Sequence, residues 1–136
     1  MLVSCIMRTP VTTIGPGTSV RAAAALMAKL DLGVLPVCEN GRPVGILTDR
    51  DIVIRWVPEA VADRHIAPIM TPAIVTCRVD QTVEQAAYVM SAKQIRRLVV
   101  VDDAGNLVGI ISVDDIANDA SEELAGQTLG EIVEVR

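Results

Sequence analysis

The residues whose types and spacing carry the most chemistry occur twice. Thr48-x-x-Asp51 returns as Ser112-x-x-Asp115, each three residues after a glycine, Gly45 or Gly109, within an apolar run. A hydroxyl with an acid three positions on is a capping box: the hydroxyl satisfies a free helix N–H, and the acid reaches back at the positive end of the helix dipole. The same residues suit a nucleotide. Free amides at a helix N-terminus bind phosphate, and a carboxylate one turn in accepts both hydroxyls of a ribose. On these residues alone both readings stand.

Three arginines extend the pattern. Arg96 and Arg97 open an apolar run in the second half. They are either charged guards of a strand edge or a phosphate clamp, because guanidinium forks match phosphate oxygens. The equivalent positions in the first half are Gly33 and Val34, so two related clefts would differ in their grip on phosphate. Arg50 lies beside Asp51 and serves either a phosphate or a surface acid such as Asp49.

The remaining candidates are weaker. His65 is the only histidine, and no nucleophile–base set can be built around it. Gly15-Pro16-Gly17 reads as a turn, no phosphate-binding G-x-x-x-x-G-K-[ST] run occurs, and Asp102-Asp103 reads as a solvated turn. Cys5, Cys38 and Cys77 are odd in number and form no C-x-x-C pair. A disulfide framework or zinc site is not expected, and buried free thiols in a reducing cytoplasm are the simpler reading. No enzyme is indicated.

The elements that must hold these residues also come in two copies. Val20, Ala23, Ala24 and Met27 return as Val83, Ala86, Ala87 and Met90, 63 residues later. Both sets follow the i, i+3, i+4, i+7 rule of an amphipathic helix. Ser19 and Thr82 are the expected caps, the latter with Gln85 in a capping box, and the helices should end near Leu30 and Gln94. Short strands are expected over Val11–Ile14 and Ala73–Cys77. Hairpins should follow: Val34–Cys38 with Pro43–Leu47 about an Asn40-Gly41 turn, and Arg97–Asp102 with Leu107–Ile111. Helices after Thr48 and Ser112 should reach about Trp56 and Asn118. Each copy is thus strand–helix–strand–strand–helix, an α/β (α+β) pattern. The expected division is residues 1–58, a linker 59–68, a second copy 69–120, and a tail 121–136 in which Ser121 could cap one more helix.

Composition bounds the function. The chain has 136 residues with a net charge of −5, 51% hydrophobic residues, one Trp, one Tyr and no Phe. A flat ligand would be gripped by aliphatic side chains and backbone. The acidic balance, with a sequence pI near 4.7, argues against a nucleic-acid partner. No apolar run is long enough for a membrane span, and residues 1–7 do not read as a signal peptide.

Taken together, the repeated Ile6-Met7…Thr9-Pro10 and Ile69-Met70-Thr71-Pro72, Leu35-Pro36-Val37 and Leu98–Asp102, and the two Gly-h-h-[Thr/Ser]-x-x-Asp elements resemble a tandem pair of CBS domains (the cystathionine beta-synthase regulatory domain), or Bateman module. The resemblance covers about residues 1–120. It implies two pseudo-twofold-related repeats packed sheet to sheet, with two clefts that bind AMP, ADP or ATP, and in some members S-adenosylmethionine or NAD. It places Asp51 and Asp115 on ribose, and Thr48 and Ser112 on ribose or phosphate. Arg97, with Arg96 beside it, is similar to the phosphate contacts of the AMP-activated kinase gamma subunit. Thr13 and Thr76 would lie against base or sugar. It further implies a cytoplasmic, stand-alone regulatory module without catalysis or a required cofactor, a homodimer, and a regulated protein partner. The alternative is an interaction or dimerisation module whose clefts bind nothing.

Overall fold

A computed structural model describes residues 1–59, 62–72 and 74–132. The chain forms two compact units. Unit 2 is Thr12–Ile74, and unit 1 joins Met1–Val11 to the chain from Val75 onward.

Unit 2 begins with a single parallel bridge, Ile14 to Val37, where a strand over 11–14 is expected. Helix α1 (Val20–Leu30) starts where Ser19 accepts a hydrogen bond from Ala22 N and ends at Asp31, which is left-handed with φ 53°. Strands β1 (Val34–Glu39) and β2 (Arg42–Thr48) form an antiparallel hairpin. Asn40 and Gly41 both have positive φ, 53° and 79°, the turn whose twist suits a two-residue hairpin. Helix α2 follows in three parts: Asp49–Asp51 is α, Ile52–Trp56 is π, and Val57–Glu59 is 3-10. The segment expected as a linker is woven in. Ile66 is fully buried, and its N–H donates to Thr18 O at 2.9 Å. The core is aliphatic: Ile14, Val20, Ala23, Met27, Leu35, Val37, Leu47, Ile52, Ile66 and Ile69.

Unit 1 repeats the plan and adds to it. Strand β3 (Thr76–Arg78) pairs in parallel with β4 (Arg97–Val101), and β4 pairs antiparallel with β5 (Leu107–Ser112). Helix α3 (Val83–Lys93) makes the crossover, as parallel neighbours require. Strand β3 lies further along the chain than expected, and the expected Ala73 falls outside the described residues. Helix α4 (Val113–Asp119) follows β5, and Ser121 caps α5 (Glu122–Glu131). The three thiols are free; Cys77 is buried as expected, whereas Cys38 is half-buried and Cys5 is exposed.

The sequence copies and the compact units do not coincide. The segment before the first copy packs in unit 1, where Arg8 bridges Ile110 and Val3 and Ile6 enter the core. The segment before the second copy packs in unit 2, where Thr71 bridges Ile46. Glycine allows both contacts. A Cβ on Gly45 would lie 2.8 Å from Thr71 O, and one on Gly109 would lie 2.6 Å from Met7 Sδ. The repeated glycines thus let a backbone approach β2 and β5 closely, as their place in the strand suggests.

Candidate functional site

Each unit presents a corner where a hairpin strand turns into a helix. In unit 2, Thr48 Oγ1 accepts from Asp51 N at 3.1 Å, and Asp51 Oδ2 accepts from Thr48 N at 2.9 Å. The capping box is complete. Asp51 is only 8% exposed, yet its other oxygen, Oδ1, is not committed: Arg55 Nη1 stands 3.8 Å away, beyond hydrogen-bond distance. Arg55 instead donates to Ile69 O at 3.0 Å. Held only by the longer ion pair to Arg55 and accepting no hydrogen bond among the described residues, Oδ1 can take a donor from a ligand.

Unit 1 builds the same box and then closes it. Asp115 Oδ2 accepts from Ser112 N and Ser112 Oγ, each at 2.9 Å, and Ser112 Oγ accepts from Asp115 N at 3.2 Å. Asp115 Oδ1 is held by Arg8 Nε at 2.7 Å. Asp115 is 3% exposed, whereas the Arg8 side chain is 69% exposed. The hydrogen bond to Asp115 and that carboxylate's charge raise the Arg8 pKa above its ordinary value. A cleft of about 610 Å3 opens beside this pair, lined by Met1, Cys5, Met7, Arg8, Asp115 and Asp119 among others.

The register settles where the other expected residues lie. Arg97 is directly opposite Ser112 across β4 and β5, and Arg96 O accepts from Val113 N at 2.9 Å. Both arginines therefore flank the unit 1 corner, and both are exposed. In unit 2, Val34 stands opposite Thr48 and Gly33 O accepts from Asp49 N at 3.0 Å, so that corner lacks the two guanidinium groups. Arg50 is exposed in the first turn of α2. Thr13 and Thr76 are exposed, and no hydrogen bond of the described residues joins either to a corner. Thr76 sits opposite Val99, two residues along β4 from Arg97.

Two arginines that the motifs do not mark belong to the corners. Arg8 comes from a lead-in segment 107 residues from its partner, and its counterpart in the repeat is Thr71. Arg55 lies one turn beyond Asp51, and its counterpart is Asp119. The local signal was the break in the repeat at these two positions, where one copy carries a charge that the other lacks or reverses.

The comparisons with known proteins follow this geometry. The family model for the CBS domain matches residues 3–56 and 64–122. The chain belongs to the CBS domain family. It is 38% identical over 128 residues to the CBS domain-containing protein YhcV of Bacillus subtilis, covering 93% of this chain and 91% of that one. It is 32% identical over 124 residues to an inosine-5'-monophosphate dehydrogenase of Thermoplasma acidophilum, but spans only 24% of that longer protein. The CBS domain pair of protein MJ0100, solved in complex with 5'-methylthioadenosine and S-adenosyl-L-methionine, matches with TM-score 0.77 and 31% identity, over 93% of this chain and 98% of that one. CBSX2, solved in complex with AMP, matches with TM-score 0.76 and 26% identity, over 90% and 97%. The chain is thus a tandem CBS pair with a mixed α/β fold. No helix among the described residues is long and apolar enough to cross a membrane.

Proposed function

We propose that this CBS pair is a non-catalytic regulatory module that binds adenine nucleotides at its two corners and passes the ligand state to a protein partner or through a homodimer. The observation that carries this reading is the Asp51 carboxylate: 8% exposed, fixed by the Thr48 cap, and with one oxygen not taken by a hydrogen bond among the described residues. A ribose hydroxyl is a donor of the right kind for that oxygen. The complexes of MJ0100 and CBSX2 with adenosine compounds support the ligand class, which here is AMP, ADP or ATP, with S-adenosylmethionine or NAD as further candidates.

In unit 1 the ligand competes with Arg8. A ribose that takes Asp115 Oδ1 releases the Arg8 guanidinium, which can then meet phosphate. Thr13 and Thr76 are the proposed contacts to base or sugar, and Arg50, in the first turn of α2, the proposed phosphate contact at the unit 2 corner. Titration calorimetry with AMP, ATP, S-adenosylmethionine and NAD tests the reading. Micromolar binding of at least one of them is expected, and millimolar or absent binding of all four overturns it.

One observation favours a second reading for unit 1 alone. Asp115 has both oxygens engaged within the unit, so this corner is structurally complete without a ligand. If only the interaction role holds, the corners are caps and no adenosine compound binds.

A further inference from the structure

We infer that Arg8 is the specificity gate of the unit 1 corner: it turns that corner toward adenosine compounds that carry phosphate and against those that do not, while unit 2 has no such gate. The inference rests on the proposed binding of ribose at Asp115 and Asp51, and it names the ligand class that unit 1 selects.

The internal repeat supplies the comparison, because the gate is one side-chain difference on matched backbones. Arg8 N donates to Ile110 O at 2.8 Å, and Ile110 N donates to Arg8 O at 3.1 Å. Its counterpart Thr71 makes the same pair with Ile46, at 2.8 Å and 3.0 Å. Each residue enters from a lead-in segment and meets its strand two residues before the capping hydroxyl, Ser112 or Thr48. Only the side chain then differs. Arg8 Nε reaches Asp115 Oδ1 at 2.7 Å. In unit 2, among the described residues, Asp51 is joined by Thr48 and Arg55 and not by Thr71.

The other oxygen of Asp115 already accepts from Ser112 N and Ser112 Oγ, and the residue is 3% exposed. A ribose therefore enters at Oδ1, the atom that Arg8 holds. Adenosine that displaces Arg8 replaces a charge-assisted hydrogen bond with a neutral donor and leaves the guanidinium without its partner. AMP displaces it too, but brings an anion for the freed fork. The cleft beside the pair, about 610 Å3 and lined by Arg8, Asp115 and Asp119 among others, gives this exchange its space.

Charge around the pair sets the sign of the effect. Asp114 and Asp119 add to the negative field that Asp115 imposes on Arg8. Without Arg8, these three carboxylates would act on a phosphate unrelieved by that cation and repel it. The same loss would open Asp115 Oδ1 to a neutral ribose. Arg96 and Arg97 flank the corner with or without Arg8, so a contrast between variants at position 8 belongs to the gate. Removing Arg8 thus moves the two ligands in opposite directions, which a general loss of structure would not do.

Titration calorimetry with AMP and with adenosine tests the gate, on chains that also carry Asp51→Asn so that unit 1 is read with unit 2 weakened. Circular dichroism confirms that each variant folds. With Arg8 present, AMP should bind at least about tenfold more tightly than adenosine. Arg8→Thr, which installs the residue of the other copy, should tighten adenosine and weaken AMP. Each change should be about tenfold at most, because the Arg8 side chain is 69% exposed to screening solvent. Arg8→Lys, which keeps the charge, should keep the preference for AMP. A preference for AMP that survives Arg8→Thr undiminished, or affinities that rise or fall together, would overturn the gate alone. Failure of both compounds to bind the unsubstituted chain would overturn the ribose reading as well, so the two failures are distinguishable.

Discussion

The glycines beneath the lead-in segments give the sharpest stability prediction. Gly45→Ala places a methyl group 2.8 Å from Thr71 O and 2.9 Å from Met70 Sδ. Ordinary carbon contacts begin at about 3.5 Å, so the neighbours must retreat by roughly two-thirds of an ångström. The nearest of them is backbone, and it is pinned: Ile46 N donates to Thr71 O at 3.0 Å, and Thr71 N donates to Ile46 O at 2.8 Å. Overpacking costs about 1–3 kcal/mol, and stretching two backbone hydrogen bonds adds up to about 1 kcal/mol. The stiffer unfolded chain returns about 0.4–1 kcal/mol, which leaves a net loss of about 2 kcal/mol. Gly109→Ala meets Met7 Sδ at 2.6 Å and Cγ at 3.0 Å, with Arg8 O at 3.2 Å. A methionine side chain can move aside, so the loss there should be about 1 kcal/mol. Urea denaturation of both variants measures the pair. A Gly45→Ala loss equal to or smaller than that of Gly109→Ala would refute the proposition that Thr71 lies rigidly on β2.

Other perturbations follow from the same structure. Burial pushes the Cys77 thiol up to about 11 and raises that of Cys38 as well. With the thiolate as the reactive form, an alkylating reagent at neutral pH should label Cys5 first and leave Cys77 unmodified until the protein unfolds, which mass spectrometry reads directly. Asp31→Gly should stabilise the chain by about 1 kcal/mol. It relieves a left-handed residue with φ 53° and removes an acid from the negative end of α1; a lower melting temperature would contradict this. Arg8→Met strips Asp115 Oδ1 of its donor and should cost about 1 kcal/mol, a modest figure because the Arg8 side chain is 69% exposed to screening solvent.

Much of the fold was legible because its signals are local. Ser19, Thr82, Thr48 and Ser112 each cap the helix that their spacing marks, and Asn40-Gly41 turns the hairpin that the dipeptide predicts. The strand at 11–14 was not legible at its true length, because its one bridge at Ile14 depends on β1 as a partner. The exchange of lead-in segments was invisible for the same reason: nothing near Arg8 announces Ile110 or Asp115. The corner residues Thr48, Asp51, Ser112 and Asp115 were legible as a repeat. Their difference in availability was not, since it rests on Arg8 and Arg55, whose positions are set by packing. The repeat also carried an unread message about α5, because only the packed structure assigns it to the faces of α3 and α4.

The central claim concerns Oδ1 of Asp51, the oxygen that accepts no hydrogen bond among the described residues, and Asp51→Asn tests it with the least disturbance. The amide oxygen can still accept from Thr48 N and so keep the cap, while the charge that favours a ribose hydroxyl is gone. Calorimetry with AMP on wild type and variant is the direct measurement. The account predicts binding weakened by at least about tenfold, the value of a charge-assisted hydrogen bond, with little change in melting temperature. Equal affinity in the two proteins would contradict it.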